Sequence, residues 1–222
     1  MIAENLKAVT QRISRSCEKS GRLADGVKLV CVTKEVDLAQ IEEVLALGVR
    51  NIGENRVQDA AVKYKAIGDK AIWHLVGHLQ TNKVRDAVKI FSLIHSLDSI
   101  RLAKEIDAQA KKIGKTQDVL VQVNVSGEES KFGIAPDGAL KLIRETALYP
   151  NINILGLMTI APEVNDPKEA GPFFRRLREL RDELNSALNT QYSILSMGMS
   201  NDFEVAIEEG STMVRIGRAI FK

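Results

Sequence analysis

A lysine at the end of an apolar strand can act as a nucleophile, and Lys34 stands in that place, directly after residues 27–33 and just ahead of a helix-like stretch beginning at Asp37. Attack on a carbonyl to form a Schiff base needs the uncharged amine, whereas a lysine in water has a pKa near ~10.4. A partly desolvated, charge-tuned strand mouth would lower it. Two later turns have the composition of anion sites. Residues 195–202, LSMGMSND, bring a glycine together with hydroxyl and amide side chains at a strand-to-helix junction, where free N–H groups and the helix dipole favour negative charge. Residues 214–218, VRIGR, place Gly217 at the end of a strand, where bare backbone lets a ligand approach closely.

Positioning these groups requires strands that deliver them to one place. Short β-branched apolar runs alternate with longer amphipathic ones, the pattern of βα units on a parallel sheet. Eight strands are predicted, at 27–33, 51–53, 72–77, 91–96, 119–125, 154–160, 193–197 and 213–216. Helices are predicted at 38–47, 57–65, 81–88, 100–113, 138–147, 168–188 and 202–209, with an extra one at 2–19 before the first strand. This is the arithmetic of a single (β/α)8 TIM barrel with an added N-terminal helix. A doubly wound open sheet would call for a glycine-rich turn after the first strand, and the sequence there, KEVD, has no glycine. Without a linker or long loop, 1–222 reads as one domain.

A barrel puts function at the C-terminal ends of its strands. The residues there are strongly polar: Lys34; Glu54, Asn55 and Arg56; His78, Gln80, Asn82 and Lys83; Ser96 and Asp98; Asn124; Met158 and Thr159; Met197 to Asn201; and Arg215 with Gly217. Asp98 and Asp202 are expected to cap the helices they precede, and Asn55 is either a cap or a ligand contact. His74 and His95 lie inside strands, where a hydrogen-bonded structural histidine is the ordinary case.

Composition narrows the classes. A net charge of +2 on 222 residues signals no polyanion-binding surface, so nucleic acid is not implied. Two cysteines, Cys17 and Cys31, have neither the number nor the spacing of a disulfide framework or zinc site, and no histidine pair has metal-ligand spacing. No apolar run is long enough to span a membrane, and residues 1–11 lack a signal-peptide core, so a cytoplasmic protein is expected.

A phosphate grip after strands seven and eight, opposite a Schiff-base lysine on strand one, suggests pyridoxal 5'-phosphate. The segments VCVTKEV, NIGENRVQDA, WHLVGHLQTNK, SKFGI, LGLMTIAP and LSMGMSNDFEVAIEEGSTMVRIGRAIF together resemble the pyridoxal phosphate homeostasis protein family, in order, over residues 27–221. The resemblance implies a barrel similar to the alanine racemase N-terminal domain, with pyridoxal phosphate bound through Lys34. It further implies that Ser200 and the backbone of Gly217 and Arg218 hold the phosphate, that Arg215 faces the pyridine nitrogen, and that Asn55 and Met199 lie near ring or phosphate. His78 and Asn82 carry over less firmly.

The expected function is intracellular homeostasis of the cofactor, by buffering or delivery through the lysine, without catalytic turnover. An always-charged guanidinium can only donate to the ring nitrogen, so the ring is a weak electron sink. Racemase-like enzymes also take a tyrosine from a second domain. The sequence ends at Lys222, and Tyr64, Tyr149 and Tyr192 fall away from the strand ends, so that apparatus is expected to be missing. A pyridoxal phosphate-dependent racemase-like enzyme is the alternative. Expected partners are the cofactor and cofactor-accepting enzymes, with a monomer as the simplest state.

Overall fold

In the computed structural model, which describes residues 1–222, eight parallel strands close into a barrel in the order β1 to β8. They are β1 Lys28–Val32, β2 Asn51–Glu54, β3 Ile72–Leu75, β4 Leu93–Leu97, β5 Gln117–Gln122, β6 Ile152–Met158, β7 Ile194–Ser196 and β8 Met213–Ile216. Closure is made by β1 pairing with β8 from Lys28↔Met213 to Cys31↔Ile216. The helices are α1 Ile2–Lys19, α2 Leu38–Ala46, α3 Val57–Ile67, α4 Val84–Ile90, α5 Ile100–Lys112, α6 Ala139–Thr146, α7 Gly171–Leu188, α8 Phe203–Glu208 and α9 Arg218–Phe221.

All eight predicted strands and eight predicted helices are present, with shifted ends. β5 starts at Gln117, ahead of the predicted apolar run, because Gln117 is buried and its side-chain amide donates to the Ser92 and Asp118 carbonyls. Ladder pairing there outweighs polarity. The predicted helices at 81–88 and 168–188 each open as a 3₁₀ turn, Thr81–Lys83 and Pro167–Ala170, before the α-helix proper. The four-residue α9 is absent from the sequence reading, since one turn leaves no periodicity to detect.

Strand alternation divides the core in two. Val30, Val76, Leu93, Leu120, Met158 and Met213 form a small apolar cluster inside the barrel. Their neighbours, including Ile52, Trp73, Ile94, Val119, Leu157 and Leu195, pack outward under the helices in a cluster of 35 buried residues. A third cluster joins Ile2, Leu6, Val9 and Ile13 of α1 to Phe203 and Ile207 of α8 and Ile220 of α9. The extra helix thus braces the two elements that follow the anion-type turns.

Candidate functional site

The strand ends open on a cavity of about 550 Å³. Lys34, Asn55, Met199, Ser200, Arg215, Gly217 and Arg218 all line it, so the structure gathers the seven residues that the family resemblance places around the cofactor. Four basic side chains, Lys34, Lys131, Arg215 and Arg218, face two acidic ones, Glu163 and Asp202, which suits an anionic ligand.

Lys34 sits in the turn between β1 and α2 and is exposed on the pocket rim, not in the partly desolvated setting expected of a strand mouth. The turn itself is firmly held. Glu54, fully buried, accepts from the Thr33 hydroxyl at 2.6 Å and from Lys63 Nζ at 2.7 Å, while Lys63 Nζ also donates to the Thr33 carbonyl at 2.6 Å. The next residue, Glu35, takes φ 61, and Asp37 and Gln40 close a capping box at the start of α2. Glu54 therefore anchors the lysine's turn and does not line the pocket, contrary to its place among the strand-end candidates.

The first anion-type turn is shaped by Gly198, whose φ is 95 and whose missing Cβ would lie 2.6 Å from the Ala206 Cβ. Asp202 is at the start of α8 but makes no side-chain cap to that helix; its carboxylate accepts from the Met199 N–H at 2.6 Å and fixes the turn. Burial pushes the Asp202 carboxyl up from its usual range, opposed by the Met199 N–H and the nearby Arg215 charge. The second turn approaches the first through the Ala219 N–H, which donates to Ser200 Oγ at 3.3 Å. At Gly217 an added Cβ would come within 2.8 Å of the Val32 carbonyl, so only glycine leaves backbone exposed to a ligand there. The N–H groups that open α9 have no partner within the helix.

Arg215 projects from β8 into the barrel and is 4% exposed. It donates to Ser196 Oγ and to the Thr159 carbonyl, each at 2.8 Å. Both acceptors are neutral, and burial lowers the guanidinium to about 10, with Asp202 acting the other way. A buried cation without a carboxylate in contact is a strong site for a ligand's lone pair or anion.

Several expected roles differ. Asn55 is not a cap, since Arg56 holds that position before α3. Ser99, not Asp98, caps α5 through the Leu102 N–H; Asp98 instead lies 3.5 Å from His78 Nδ1. His78 stacks on Phe132 with ring centroids 3.9 Å apart. His78, Asn82, Arg56, Gln80, Lys83, Ser96 and Asn124 do not line the pocket. Conversely, residues 160–164, Pro167 and Lys131 form a wall that strand-end reasoning passed over, because long loops carry them there. Ser196 entered the sequence analysis only as part of the LSMGMSND turn, whereas the structure places it at the end of β7 with its hydroxyl on Arg215. His74 and His95 are buried, hydrogen-bonded histidines inside their strands, as expected, and the structure pairs them with each other, His74 Nδ1 lying 3.0 Å from His95 Nε2. Cys17 and Cys31 are buried free thiols.

Residues 4–222 match the family described as alanine racemase, N-terminal domain. The pyridoxal phosphate homeostasis protein of Aquifex aeolicus is 48% identical over 219 residues, covering 98% of this chain and 96% of that one. The structure of PipY of Synechococcus elongatus with PLP bound superposes with a TM-score of 0.87 at 34% identity, covering both chains completely. An alanine racemase of Clostridium difficile, 16% identical with a TM-score of 0.75, shares the fold over 98% of this chain and 56% of its own. The chain belongs to the pyridoxal phosphate homeostasis protein family, built on the barrel of the alanine racemase N-terminal domain.

Proposed function

We propose that this chain binds pyridoxal 5'-phosphate in the strand-end pocket and takes part in intracellular homeostasis of that cofactor, without catalytic turnover. The observation that carries the reading is the convergence of a primary amine, a buried guanidinium lacking a contacting carboxylate and two glycine-shaped turns on one cavity. The PLP-bound structure of a relative with the same barrel supports the identity of the ligand.

The residues present fit the cofactor. When bound, it supplies an aldehyde that condenses with primary amines. Lys34, at the rim, is the amine offered to it. Ser200 and the backbone of Gly217 and Arg218 would hold the phosphate, and Arg215 would donate to the ring nitrogen. Asn55 and Met199 would flank the ring or phosphate. Exposure of Lys34 suits exchange with an incoming amine, and hence buffering or delivery to acceptor enzymes in the cytoplasm. None of the three tyrosines lines the pocket: Tyr64 meets Trp73 edge-on, Tyr149 follows α6 and Tyr192 precedes β7. The whole chain acts as one unit, in the simplest case a monomer.

Absorbance titration with pyridoxal 5'-phosphate, followed by borohydride reduction and peptide mapping, tests this. A visible band that vanishes in Lys34→Ala, with label fixed on Lys34, is the expected result. No band and no labelled lysine in the unmutated protein would sink the proposal. Exchange of an amino acid's α-hydrogen above the rate of free cofactor would overturn the non-catalytic part alone.

A further inference from the structure

One chain of hydrogen bonds runs inside the barrel from the pocket toward the opposite end of the strands. Arg215 Nη1 donates to Ser196 Oγ at 2.8 Å. Ser196 Oγ is 2.9 Å from His95 Nδ1, His95 Nε2 is 3.0 Å from His74 Nδ1, and His74 Nε2 is 3.1 Å from Asn51 Oδ1. Five strands, β8, β7, β4, β3 and β2, each contribute one side chain to it. His95 and Ser196 are fully buried, and only Arg215 among the five lines the pocket.

Donor inventory sets its direction. A guanidinium can only donate, so Ser196 Oγ accepts from Arg215 and keeps its single proton for His95 Nδ1. That nitrogen must then be bare, and the neutral ring carries its proton on Nε2, facing His74 Nδ1. His74 likewise carries its proton on Nε2 and donates to Asn51 Oδ1. Every link is satisfied once, with both rings uncharged. A proton on His95 Nδ1 would instead give Ser196 two donors and leave its own hydroxyl without an acceptor in the chain. Burial opposes charging either histidine, in agreement with the pattern that geometry requires.

We infer that Ser196, and His95 through it, are positioning residues for Arg215: their one-way chain fixes the guanidinium so that its remaining donors point into the pocket. The inference rests on the proposed binding of pyridoxal phosphate there. An arginine side chain gives up rotamer freedom when it is fixed. Meeting that cost before the ligand arrives favours binding. A neutral anchor also leaves the positive charge available to the ligand, where a carboxylate anchor would cancel it.

The test is a pyridoxal 5'-phosphate titration of the unmutated protein, Ser196→Ala, Ser196→Thr and His95→Leu, each with and without Arg215→Met, alongside apoprotein melting. Ser196→Ala is expected to weaken binding about tenfold, the effect of one lost hydrogen bond to a charged group. Ser196→Thr keeps the hydroxyl and should restore it. Neither Ser196→Ala nor His95→Leu should weaken binding further once Arg215 is Met, the non-additivity of residues acting through one another. Variants that melt lower yet bind equally well, or whose effects add to that of Arg215→Met, would show a merely structural role and overturn the inference. An unmutated protein that binds no pyridoxal phosphate overturns the functional proposal, and this inference with it. Should a variant not fold, nitrogen NMR of the histidine-labelled, unmutated apoprotein decides: both rings neutral and protonated on Nε2 is expected, and a proton on His95 Nδ1 overturns the assignment.

Discussion

Arg215 is the residue where stability and binding pull apart. Its charge is buried against two neutral acceptors, and burial lowers its pKa to about 10. Replacing such a group by an apolar one of similar length commonly leaves a fold unharmed or more stable, because the cost of desolvating the charge, which weak partners offset only in part, disappears with it. Arg215→Met should therefore leave the apoprotein's melting temperature unchanged or higher. The same variant should lose about 1.5–3 kcal/mol of pyridoxal phosphate affinity, the usual contribution of a hydrogen bond to a charged group. Calorimetric melting with and without cofactor measures both, and a variant that melts lower but binds as tightly would contradict this account. Residue type and strand-end position sufficed to nominate Arg215 and Lys34 from the sequence. They could not show that Ser196, 19 residues before Arg215, holds its guanidinium, nor that Glu54 turns outward to Lys63. Those facts depend on which face each strand turns inward.

At the scale of elements, the pocket depends on two turns whose shapes are set by glycine. Gly217 joins β8 to α9 beside β1, and a Cβ there would sit 2.8 Å from the Val32 carbonyl and 3.3 Å from the Val32 Cβ. Backbone of a paired strand cannot yield as the tip of a side chain can, so β1 and β8 would have to part at the seam that closes the barrel. Gly217→Ala should cost about 1–3 kcal/mol, the range for overpacking, and thermal denaturation should show a drop of several degrees at this chain length. Cofactor affinity should fall with it, because the displaced segment carries Arg218. Unchanged melting would mean the seam has more slack than its spacing indicates. The LSMGMSND and VRIGR segments were legible as anion-type turns because glycine and hydroxyl chemistry is local. The helix start at Asp202 was legible too, but its carboxylate's use on the Met199 N–H was not, since a cap and a turn clamp share one composition.

Across the whole molecule, the barrel interior stores two uncharged histidines, and this couples stability to pH. His74 is lowered to about 3, chiefly by burial and then by the Lys28 charge, and His95 is lowered for the same first reason, with His74 and Arg215 adding to it. An unfolded histidine takes up its proton near ~6.5. Between that value and about 3 the unfolded chain binds more protons than the folded one at His74, so stability falls as pH falls through that interval. Each such group contributes a slope of about 1.4 kcal/mol per pH unit where the difference is a full proton. Denaturant unfolding between pH ~4 and ~6 should thus show a steeper loss of stability in the unmutated protein than in His74→Gln, by about that slope. Glutamine can still accept from His95, so the comparison isolates the proton from the packing. Equal slopes in the two proteins would mean that His74 takes up its proton in the folded barrel as readily as in the unfolded chain, and that the interior tolerates the charge its burial and Lys28 should exclude.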